Sequence, residues 1–311
     1  MSTRITWEQV PAGLRAKAEH LLGAAVIAAR TQPGGFSPGA AARLELSTGA
    51  RAFATAVGPE LNPDSPGIYR AEARVAAALP ASVPAPEFLG AVEDGGWVAL
   101  LFEDIDGALP AQPWRPPELA RVLAAMTDLA AALTPAPLAA PTAQDRHGAS
   151  FTGWRELAGE ERTADQRDLD PWARAHLAEL AGLESGWAAA AAGDALVHSD
   201  IRSDNILLAA DRVVFVDWAW ACRAAPWFDL LAMLPSVALE GGPPPAEILA
   251  AHPVFRAADP QAVTAVVAAL AGVLVGQSRR PAPPGLPALR AFQADQGRVT
   301  LDWLRARTGW R

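Results

Sequence analysis

The stretch Ala195–Trp218 reads ALVHSDIRSDNILLAADRVVFVDW, and its polar residues occur at spacings that decide the fold. Three apolar residues, Ala195–Val197, predict a short strand that leads His198 and Asp200 into a loop. The run Ile206–Leu208, a polar turn, and the run Val213–Asp217 then predict a β-hairpin. This pattern places Asp217 at the end of a strand, where its carboxylate can face the same space as the loop.

The spacing of the polar residues matches H-x-D-x-x-x-x-N followed by a strand-terminal aspartate, a pattern typical of phosphoryl transfer. Transfer of a γ-phosphoryl group needs a carboxylate that orients and deprotonates the attacking hydroxyl, and Asp200 is the candidate. Magnesium prefers hard oxygen ligands, which Asn205 and Asp217 would supply. The alternative is an Asx-turn beside a strand-end aspartate, because Asp and Asn are common in turns.

These residues resemble the aminoglycoside phosphotransferase family, which has H-G-D-x-H/R-x-x-N, a strand ending in I-D-W or V-D-W, and a later Asp-Leu. The chain has these motifs at His198–Asn205, Val216–Trp218 and Asp229–Leu230, with Ser199 in place of the glycine. The resemblance implies that Asp229 braces the catalytic loop through backbone hydrogen bonds.

The same resemblance implies the fold class: an α+β, two-lobed, protein-kinase-like fold with a small β-rich N-lobe and a larger, mostly helical C-lobe. The expected lobes are residues 1–103, which bind nucleotide, and residues 104–311, which carry catalysis and substrate binding.

Composition agrees with one enzyme-sized protein of the cytoplasm. The 311 residues are 51% hydrophobic, enough for a large core. The single cysteine, Cys222, excludes a disulfide framework and suits a reducing compartment. The net charge of −8 argues against a nucleic-acid surface. Residues 1–30 lack the pattern of a signal peptide, so we expect no membrane role. The oligomeric state stays open.

The first third of the chain predicts a sheet with one helix. Strands are expected at Val26–Arg30, Ala42–Leu46, Arg51–Val57 and Trp97–Phe102, and a helix from about Pro66 to Leu79, before Pro80. From residue 116 onward the pattern is helical and rich in alanine, apart from the catalytic hairpin, and the last helix is expected at about Ala288–Thr308.

Two segments are expected to hold ATP or GTP. The glycine- and proline-rich loop Gly34–Gly39 lets backbone N–H groups approach phosphates, with Gly34, Gly35, Phe36 and Ser37 as the candidates. An ordinary surface turn is the alternative. By resemblance, backbone groups around Phe102, Asp104 and Ile105 would hold the base.

One expected residue of the nucleotide site is absent. Family members place a lysine on the third strand, paired with a helix glutamate; Glu72 matches the glutamate, but the lysine position falls on Thr55. The only lysine of the chain is Lys17. A two-residue turn at Thr48–Gly49 would pair Arg43 with Ala54 and point it away from the Thr55 face.

Other arginines are then possible substitutes for the lysine. Arg51 lies on the face of Thr55 but about 13 Å away along the strand, at about 3.3 Å per residue. Arg70 and Arg74 flank Glu72 on the helix.

Three functions remain open at this point. The first is a magnesium-dependent phosphotransferase that moves the γ-phosphoryl group of ATP or GTP to a hydroxyl of a small molecule, of which an aminoglycoside-like antibiotic is one candidate. The second is a pseudokinase-like protein that binds nucleotide or a small molecule with impaired catalysis. The third is transfer of another group, such as a nucleotidyl group. Carboxylates in Glu156–Asp170 could meet an ammonium group of a substrate, or form a solvated face.

Overall fold

In the computed structural model, which describes residues 4–33, 37–159, 168–283 and 286–311, the chain divides into two compact units. Unit 1 consists of Met1–Pro110, Asp204–Trp220 and Ala282–Ala288, and unit 2 consists of Ala111–Ser203, Ala221–Pro281 and Leu289–Arg311. Unit 1 is built on β-sheets and unit 2 is mostly helical, so the predicted α+β, two-lobed class is confirmed. The assignment of roles to residues 1–103 and 104–311 stays a prediction.

The main sheet of unit 1 is antiparallel with the strand order β1-β2-β3-β5-β4. Its strands are β1 Val26–Thr31, β2 Ala40–Leu46, β3 Arg51–Val57, β4 Phe88–Asp94 and β5 Trp97–Glu103, and its helices are α1 Ala12–Leu22 and α2 Ser65–Ala76. The four strands expected from the sequence are present. The helix α2 ends three residues earlier than predicted.

Alternation along the strands gives this sheet two apolar faces. One face packs against α1 and the segment before it, where Trp7 and Leu14 bury Ala54 and Leu101. The other face packs against α2 through Tyr69 and includes Leu100 and Phe102. Because successive side chains of a strand point to opposite faces, the small alanines of β3 lie on the α1 side, and Phe53 and Thr55 lie on the α2 side.

The β2–β3 register differs from the predicted one. Arg43 pairs with Phe53, and Glu45 pairs with Arg51, because the loop has three residues, Ser47–Gly49, rather than two. Gly49 adopts φ +84°, as expected of the left-handed residue in a three-residue hairpin loop. The shift by one residue turns Arg43 onto the face of Thr55, so the prediction that it points to the opposite face is wrong.

A second sheet of unit 1 contains the predicted hairpin. It pairs β6 Gly107–Ala108 with β8 Ile206–Ala209, and β8 with β9 Val213–Phe215. A 3-10 helix, Trp218–Trp220, follows and packs against α2. The hairpin therefore delivers Asp217 and its neighbours to the helix that carries Glu72.

Unit 2 consists of helices and one two-stranded sheet, in which β7 Ala195–Val197 pairs with β10 Cys222–Ala224. Its helices are α3 Pro116–Ala132, α4 Ala143–His147, α5 Gly153–Gly159, α6 Pro171–Ala175, α7 Leu177–Ser185, α8 Trp187–Ala190, α9 Phe228–Leu239, α10 Pro245–Ala251, α11 Pro260–Ser278 and α12 Leu289–Thr308.

Helix α11 lies at the centre of unit 2 and contacts α5, α7, α8 and α12. A Cβ at Gly153 would lie 1.9 Å from the carbonyl oxygen of Gly272, so α5 and α11 need glycine to approach this closely. Within the described residues, α11 is the one helix long and apolar enough to cross a bilayer by length and composition, and half of its most apolar window is buried in the protein. Core helices commonly meet these criteria.

Candidate active site

The catalytic loop of unit 2 begins where β7 ends and is held by an aspartate of α9. The backbone N–H groups of His198 and Ser199 donate to Asp229 at 2.8 and 2.6 Å. The N–H of Asp200 donates to Nδ1 of His198 at 3.2 Å, and the His198 ring is fully buried. The backbone hydrogen bonds expected of Asp229 are therefore present, and they fix the backbone that carries Asp200.

Ser199 has a left-handed backbone, with φ +71°. Glycine adopts this conformation without steric cost, which explains the glycine in the family motif. The serine gains a contact that glycine lacks, because its Oγ lies 2.6 Å from Nε2 of His147. The His147 ring stacks on Phe228, the first residue of α9, with ring centroids 6.4 Å apart.

The predicted base, Asp200, forms an ion pair with Arg202, and the guanidinium of Arg202 lies over the ring of Phe292, 5.8 Å from its centroid. The Asp200 side chain keeps 27% of its surface exposed. Its carboxylate is thus held in place by a neighbour on the same loop and is open to a ligand.

Burial shifts the pKa of two groups behind the loop. Burial raises the pKa of Asp229 to about 6, although its bonds from the Ser199 and His198 N–H groups act in the opposite direction. Burial lowers the pKa of His147 to about 4, and the nearby charge of Arg146 adds to this effect. Both groups lie behind the backbone of the loop and support it.

The predicted metal ligands belong to the hairpin of unit 1. Asn205 is buried and precedes β8, and its carbonyl oxygen accepts the N–H of Val216 at 3.0 Å. Strand β9 ends at Phe215, two residues before the predicted end, because Asp217 adopts φ +67° and leaves the extended conformation. Aspartate tolerates this left-handed region better than most residues do.

The carboxylate of Glu72, on α2, lies near Asp217 and Trp218. The N–H of Trp218 donates to its carboxylate, and the carboxylate lies within electrostatic range of Asp217. Burial first, and then the negative charge of Asp217, raise the pKa of Glu72 well above its ordinary value. The helix glutamate expected to pair with a lysine thus faces the backbone next to a predicted metal ligand.

Thr55 occupies the middle of β3. Within the part of the chain that the structure describes, its Oγ1 is buried without a hydrogen-bond partner. Lys17, on α1, donates to Asp94 at 2.7 Å and to the carbonyl of Glu93 at 2.8 Å. A lysine therefore does not reach the face of Thr55.

Two arginines on the Thr55 face neutralise Asp104, which was predicted to lie at the nucleotide base. Asp104 is 2% exposed, and its two oxygens lie 3.3 Å from Nε of Arg43 and 3.3 Å from Nε of Arg51. Arg43 also donates to the carbonyl of Ile105 at 3.0 Å. Phe102 pairs with Phe53 and Phe88 in the sheet. The binding of nucleotide by Phe102, Asp104 and Ile105 stays a prediction.

Arg4 and Tyr69 join this region and were not anticipated from the sequence. Burial lowers the pKa of the Arg4 guanidinium, and the nearby charges of Asp217 and Asp204 act in the opposite direction. The Tyr69 hydroxyl lies 3.0 Å from Oγ of Ser37, and burial raises its pKa to about 12. Arg4 lies 213 positions before Asp217, so no local pattern links the two residues. Of the predicted phosphate loop, Gly34, Gly35 and Phe36 lie outside the described residues.

The donor set of unit 1 fits a divalent cation that shares its coordination with phosphates. Asn205 offers an amide oxygen and Asp217 a carboxylate, and magnesium is commonly bound by one or two carboxylates together with substrate phosphates and water. Among residues 4–33, 37–159, 168–283 and 286–311, no group of three or more His, Cys, Asp or Glu side chains could hold a metal by itself. Phosphate oxygens and water would complete the coordination of a cation held by these two residues.

The carboxylates of Glu156–Asp170 are only partly described. Glu156 forms an ion pair with Arg280 at 2.6 Å, and Asp170 caps α6 and contacts Arg305 at 2.9 Å. Residues 160–167 lie outside the described residues. The two described ends of this segment thus have structural partners, and its role in substrate binding stays a prediction.

A two-lobed α+β fold with a braced His-x-Asp loop and a hairpin ending in Val-Asp-Trp defines a kinase-like phosphotransferase class. A sequence model of the phosphotransferase enzyme family (APH) matches residues 43–265, more than half of the chain. The chain belongs to this family. No curated protein matches it at the sequence level.

Two solved structures illustrate the likeness in fold. A choline/ethanolamine kinase family protein from Mesorhizobium loti has a TM-score of 0.53 and 19% identity, over 90% of this chain and 86% of that chain. The amicoumacin kinase hAmiN, solved with AMP-PNP, Ca²⁺ and Ami, has a TM-score of 0.50 and 10% identity, over 87% of this chain and 88% of that chain. At these identities the likeness establishes the fold.

Proposed function

We propose that this protein transfers the γ-phosphoryl group of ATP or GTP to a hydroxyl group of a small molecule in the cytoplasm. The catalytic loop carries the proposal: two N–H groups donated to Asp229, at 2.8 and 2.6 Å, hold the backbone on which Asp200 lies. A protein that only binds a ligand has no need of a fixed carboxylate at this position of the motif.

In this proposal Asp200 accepts the proton of the substrate hydroxyl as its oxygen attacks the γ-phosphorus, and the bond between the γ-phosphorus and the β–γ bridging oxygen breaks. Arg202 holds the carboxylate in one orientation through their ion pair. The products are a phosphate monoester and a nucleoside diphosphate. Asp200 thus orients the nucleophile and takes its proton, while its neighbours keep it in place.

Asn205 and Asp217 would hold magnesium, which supplies positive charge to the phosphates when bound. The left-handed backbone of Asp217 supports this role, because strained backbone at a functional site is held by the surrounding structure. The complex of hAmiN with AMP-PNP and Ca²⁺ shows that a protein of this fold binds a nucleotide together with a divalent cation.

The nucleotide would meet the phosphate loop, Gly34, Gly35, Phe36 and Ser37, and the segment Phe102, Asp104 and Ile105. Ser37 lies beside Tyr69 and thus at the cluster that contains Asp217. We keep the hydroxyl compound general, with an aminoglycoside-like antibiotic as one candidate. Residues 156–170 would be the first place to look for groups that select a cationic substrate.

A second candidate function is nucleotide or small-molecule binding with impaired catalysis. Thr55 favours it, because the strand position at which the family resemblance predicts a lysine carries a short, neutral side chain here. Loss of such a group costs on the order of 10²–10³ in turnover. The two candidate functions predict different turnover but the same binding of nucleotide.

A product assay separates these functions. Purified protein, ATP, Mg²⁺ and a panel of aminoglycosides, macrolides and amino alcohols would be analysed by mass spectrometry for an added phosphoryl group and for ADP. We expect a phosphorylated product with the wild type and a loss of at least about 10³-fold with Asp200→Asn. The matched control is Asp211→Asn, an exposed carboxylate at the hairpin turn.

Each outcome assigns one function. ADP with a phosphate monoester supports the phosphotransferase, and pyrophosphate with an adenylylated product assigns nucleotidyl transfer. A magnesium-dependent thermal shift with nucleotide but no turnover over the panel assigns the binding function. Equal turnover of the Asp200→Asn variant and the wild type would remove Asp200 from the mechanism.

A further inference from the structure

The part of the catalytic loop that belongs to unit 2, residues 198–203, is held at both of its ends by α9. Asp229, the second residue of α9, accepts the first two N–H groups of the loop. At the other end, Ser203 is 3% exposed, and its Oγ donates to Oε1 of Glu240 at 2.7 Å. Glu240 is the residue that directly follows α9. Each end of α9 therefore provides one carboxylate to the loop that carries Asp200.

The first residues of unit 2 fix Glu240 on its other side. Nε1 of Trp114 donates to Oε2 of Glu240 at 3.0 Å, and the backbone N–H of Trp114 donates to the Glu240 carbonyl oxygen at 3.1 Å. A Cβ at Gly241 would lie 2.8 Å from Cβ of Pro113, so glycine lets the two segments approach closely. Glu240 therefore reaches Ser203 from a fixed position and loses little freedom when it accepts the bond.

The Ser203 hydroxyl is engaged both as an acceptor and as a donor. Nε2 of Gln112 donates to the Ser203 Oγ at 2.8 Å, which leaves the hydroxyl hydrogen for Glu240. A hydroxyl with both partners is held in one orientation, and successive hydrogen bonds in such a chain strengthen one another. The bond to the carboxylate is charge-assisted, and such bonds are about twice as strong as neutral ones. The Ser203 side chain is thus held from two directions.

The stability of α9 does not explain an acidic residue at this position. The C-terminal end of a helix carries a partial negative charge, which favours basic side chains nearby. The last turn of α9 contains no basic residue, and the residue that follows it is Glu240. The carboxylate is instead accounted for by its two side-chain donors, Trp114 and Ser203. Of these two donors, Ser203 lies on the catalytic loop.

We propose that Glu240 is a positioning residue for the transfer reaction: it fixes Ser203, and together with Asp229 it holds both ends of the loop that carries Asp200. The inference rests on the proposed function, because it takes Asp200 as the base. Glu240 acts through the backbone between Asp200 and Ser203, where a displacement of about 1 Å can cost about 10² in rate. A displaced Ser203 would also move its neighbour Arg202, the ion-pair partner of Asp200.

Steady-state kinetics with ATP, Mg²⁺ and the phosphorylated hydroxyl compound measure the effect on catalysis. We expect Ser203→Ala and Glu240→Ala each to lower kcat by about 10- to 100-fold and to leave KM for ATP within about twofold. The double variant should lose no more than the stronger single variant, because both remove the same hydrogen bond. Ser203→Thr keeps the hydroxyl and should recover most of kcat.

Matched controls distinguish positioning from a general effect on folding. Ser236→Ala removes the hydroxyl of another buried serine, one that lies within α9 and donates to the carbonyl of Met233 at 2.8 Å. Glu247→Ala removes an exposed carboxylate of α10. We expect wild-type kcat from both control variants. Circular dichroism and Tm of every variant verify folding.

Hydrogen exchange followed by mass spectrometry measures the loop itself and needs no turnover. In the protein without ligands, we expect the amides of residues 200–203 to exchange about 10-fold faster in Ser203→Ala and Glu240→Ala than in the wild type. Ser236→Ala should exchange at the wild-type rate in this segment. The proposal requires both the fall in kcat and the faster exchange, so either change without the other would overturn it. A loss of kcat in Ser236→Ala as large as that in Ser203→Ala would also overturn it.

Failure of the proposed function gives a different result. A wild type that forms no phosphorylated product would remove the transferase. Faster exchange in Ser203→Ala and Glu240→Ala would then still support the fixing of the loop by Glu240, and unchanged exchange would remove that as well. Turnover that depends on Asp200 but not on Glu240 would remove the role of Glu240 alone.

Discussion

Glu72 accepts the backbone N–H of Trp218, so the helix glutamate of this protein braces the residue that follows Asp217. The resemblance to the family predicts a lysine of the third strand as the partner of this glutamate. Here the lysine is absent, and the carboxylate has a main-chain donor within the same unit. The pairing gives Glu72 a structural task that is independent of any cation.

Substitutions of Glu72 should separate the contribution of its hydrogen-bond acceptor to stability from the contribution of its charge. Glu72→Ala leaves the Trp218 N–H without its acceptor and should lower the free energy of unfolding by about 1–3 kcal/mol. Glu72→Gln keeps an oxygen for this N–H and removes the repulsion with Asp217, so its stability at pH 7.5 should equal or exceed that of the wild type. Urea unfolding measures both; equal losses would contradict the assigned contact.

The same glutamate predicts a pH effect with a definite sign. Its pKa is raised in the folded protein, so between the unfolded value of 4.5 and the folded value the native state binds more protons. Stability from this group is present below pH 4.5 and is lost as the pH rises. The stability of Glu72→Gln should therefore fall less than that of the wild type above pH 4.5.

Ser199 combines a left-handed backbone with a hydrogen bond to His147. Ser199→Ala keeps the unfavourable φ and loses the bond, whereas Ser199→Gly loses the bond and removes the steric cost, which is about 1–2 kcal/mol for a residue with a Cβ. We expect the glycine variant to be more stable than the alanine variant by about 1 kcal/mol. Thermal unfolding of the two proteins side by side decides this, and the opposite order would refute it.

His147 should make the protein sensitive to acid. Its pKa is about 4 in the folded protein, below the ordinary 6.5, so the unfolded chain binds more protons between these values. Its contribution is complete above pH 6.5 and is lost as the pH falls toward 4, by at most about 3 kcal/mol. The variant His147→Gln lacks this slope. Asp229, with a pKa of about 6, gives a pH dependence of stability of the opposite sign. It is present in both the wild type and the His147→Gln variant, so the comparison isolates His147.

The role of Asp229 predicts a loss of turnover rather than of nucleotide affinity. In Asp229→Asn, one of the two oxygens that accept the His198 and Ser199 N–H groups becomes a donor, and the loop that carries Asp200 shifts. A misplacement of about 1 Å can cost about 10² in rate. We expect kcat to fall by about this factor and KM for ATP to change little; Asp128→Asn, an exposed residue of α3, is the control.

Removal of both arginines beside the buried Asp104 should lower the free energy of unfolding more than removal of one. Removal of both, in Arg43→Ala/Arg51→Ala, leaves a carboxylate that is 2% exposed without a cation and should cost about 3–5 kcal/mol. Arg51→Ala alone should cost under about 1 kcal/mol, because Arg51 is half exposed. Addition of Asp104→Asn to the double variant should restore part of the loss. Chemical denaturation gives the free energy of unfolding of the wild type and of these three variants.

Much of the fold follows from local patterns. The alternation of Arg51–Val57 predicts β3 with the observed bounds, and the apolar runs Ile206–Leu208 and Val213–Asp217 predict the hairpin that carries Asp217. The α2 end was placed at Leu79 from the position of Pro80, whereas the helix ends at Ala76. Prolines limit a helix but do not set its last residue.

Other features depend on local backbone geometry or tertiary packing, which the sequence does not determine uniquely. The face of Arg43 depends on whether the β2–β3 loop has two or three residues, and both lengths suit Ser47–Thr48–Gly49–Ala50. The end of β9 depends on the φ of Asp217, which its residue type permits but does not require. Arg4 comes within electrostatic range of Asp217 although the two residues are far apart in the sequence, so its position could be found only from the structure.

The engagement of Lys17 by Asp94 has a practical consequence for enzyme discovery. Nucleotide reagents that tag kinases by acylating an amine beside the phosphates need a lysine at that location. This protein has one ε-amine in 311 residues, and it is held on α1 by Asp94 and Glu93. Chemoproteomic surveys built on such reagents would overlook it, even where it turns over ATP, and guanidinium-directed dicarbonyl reagents would be the better choice.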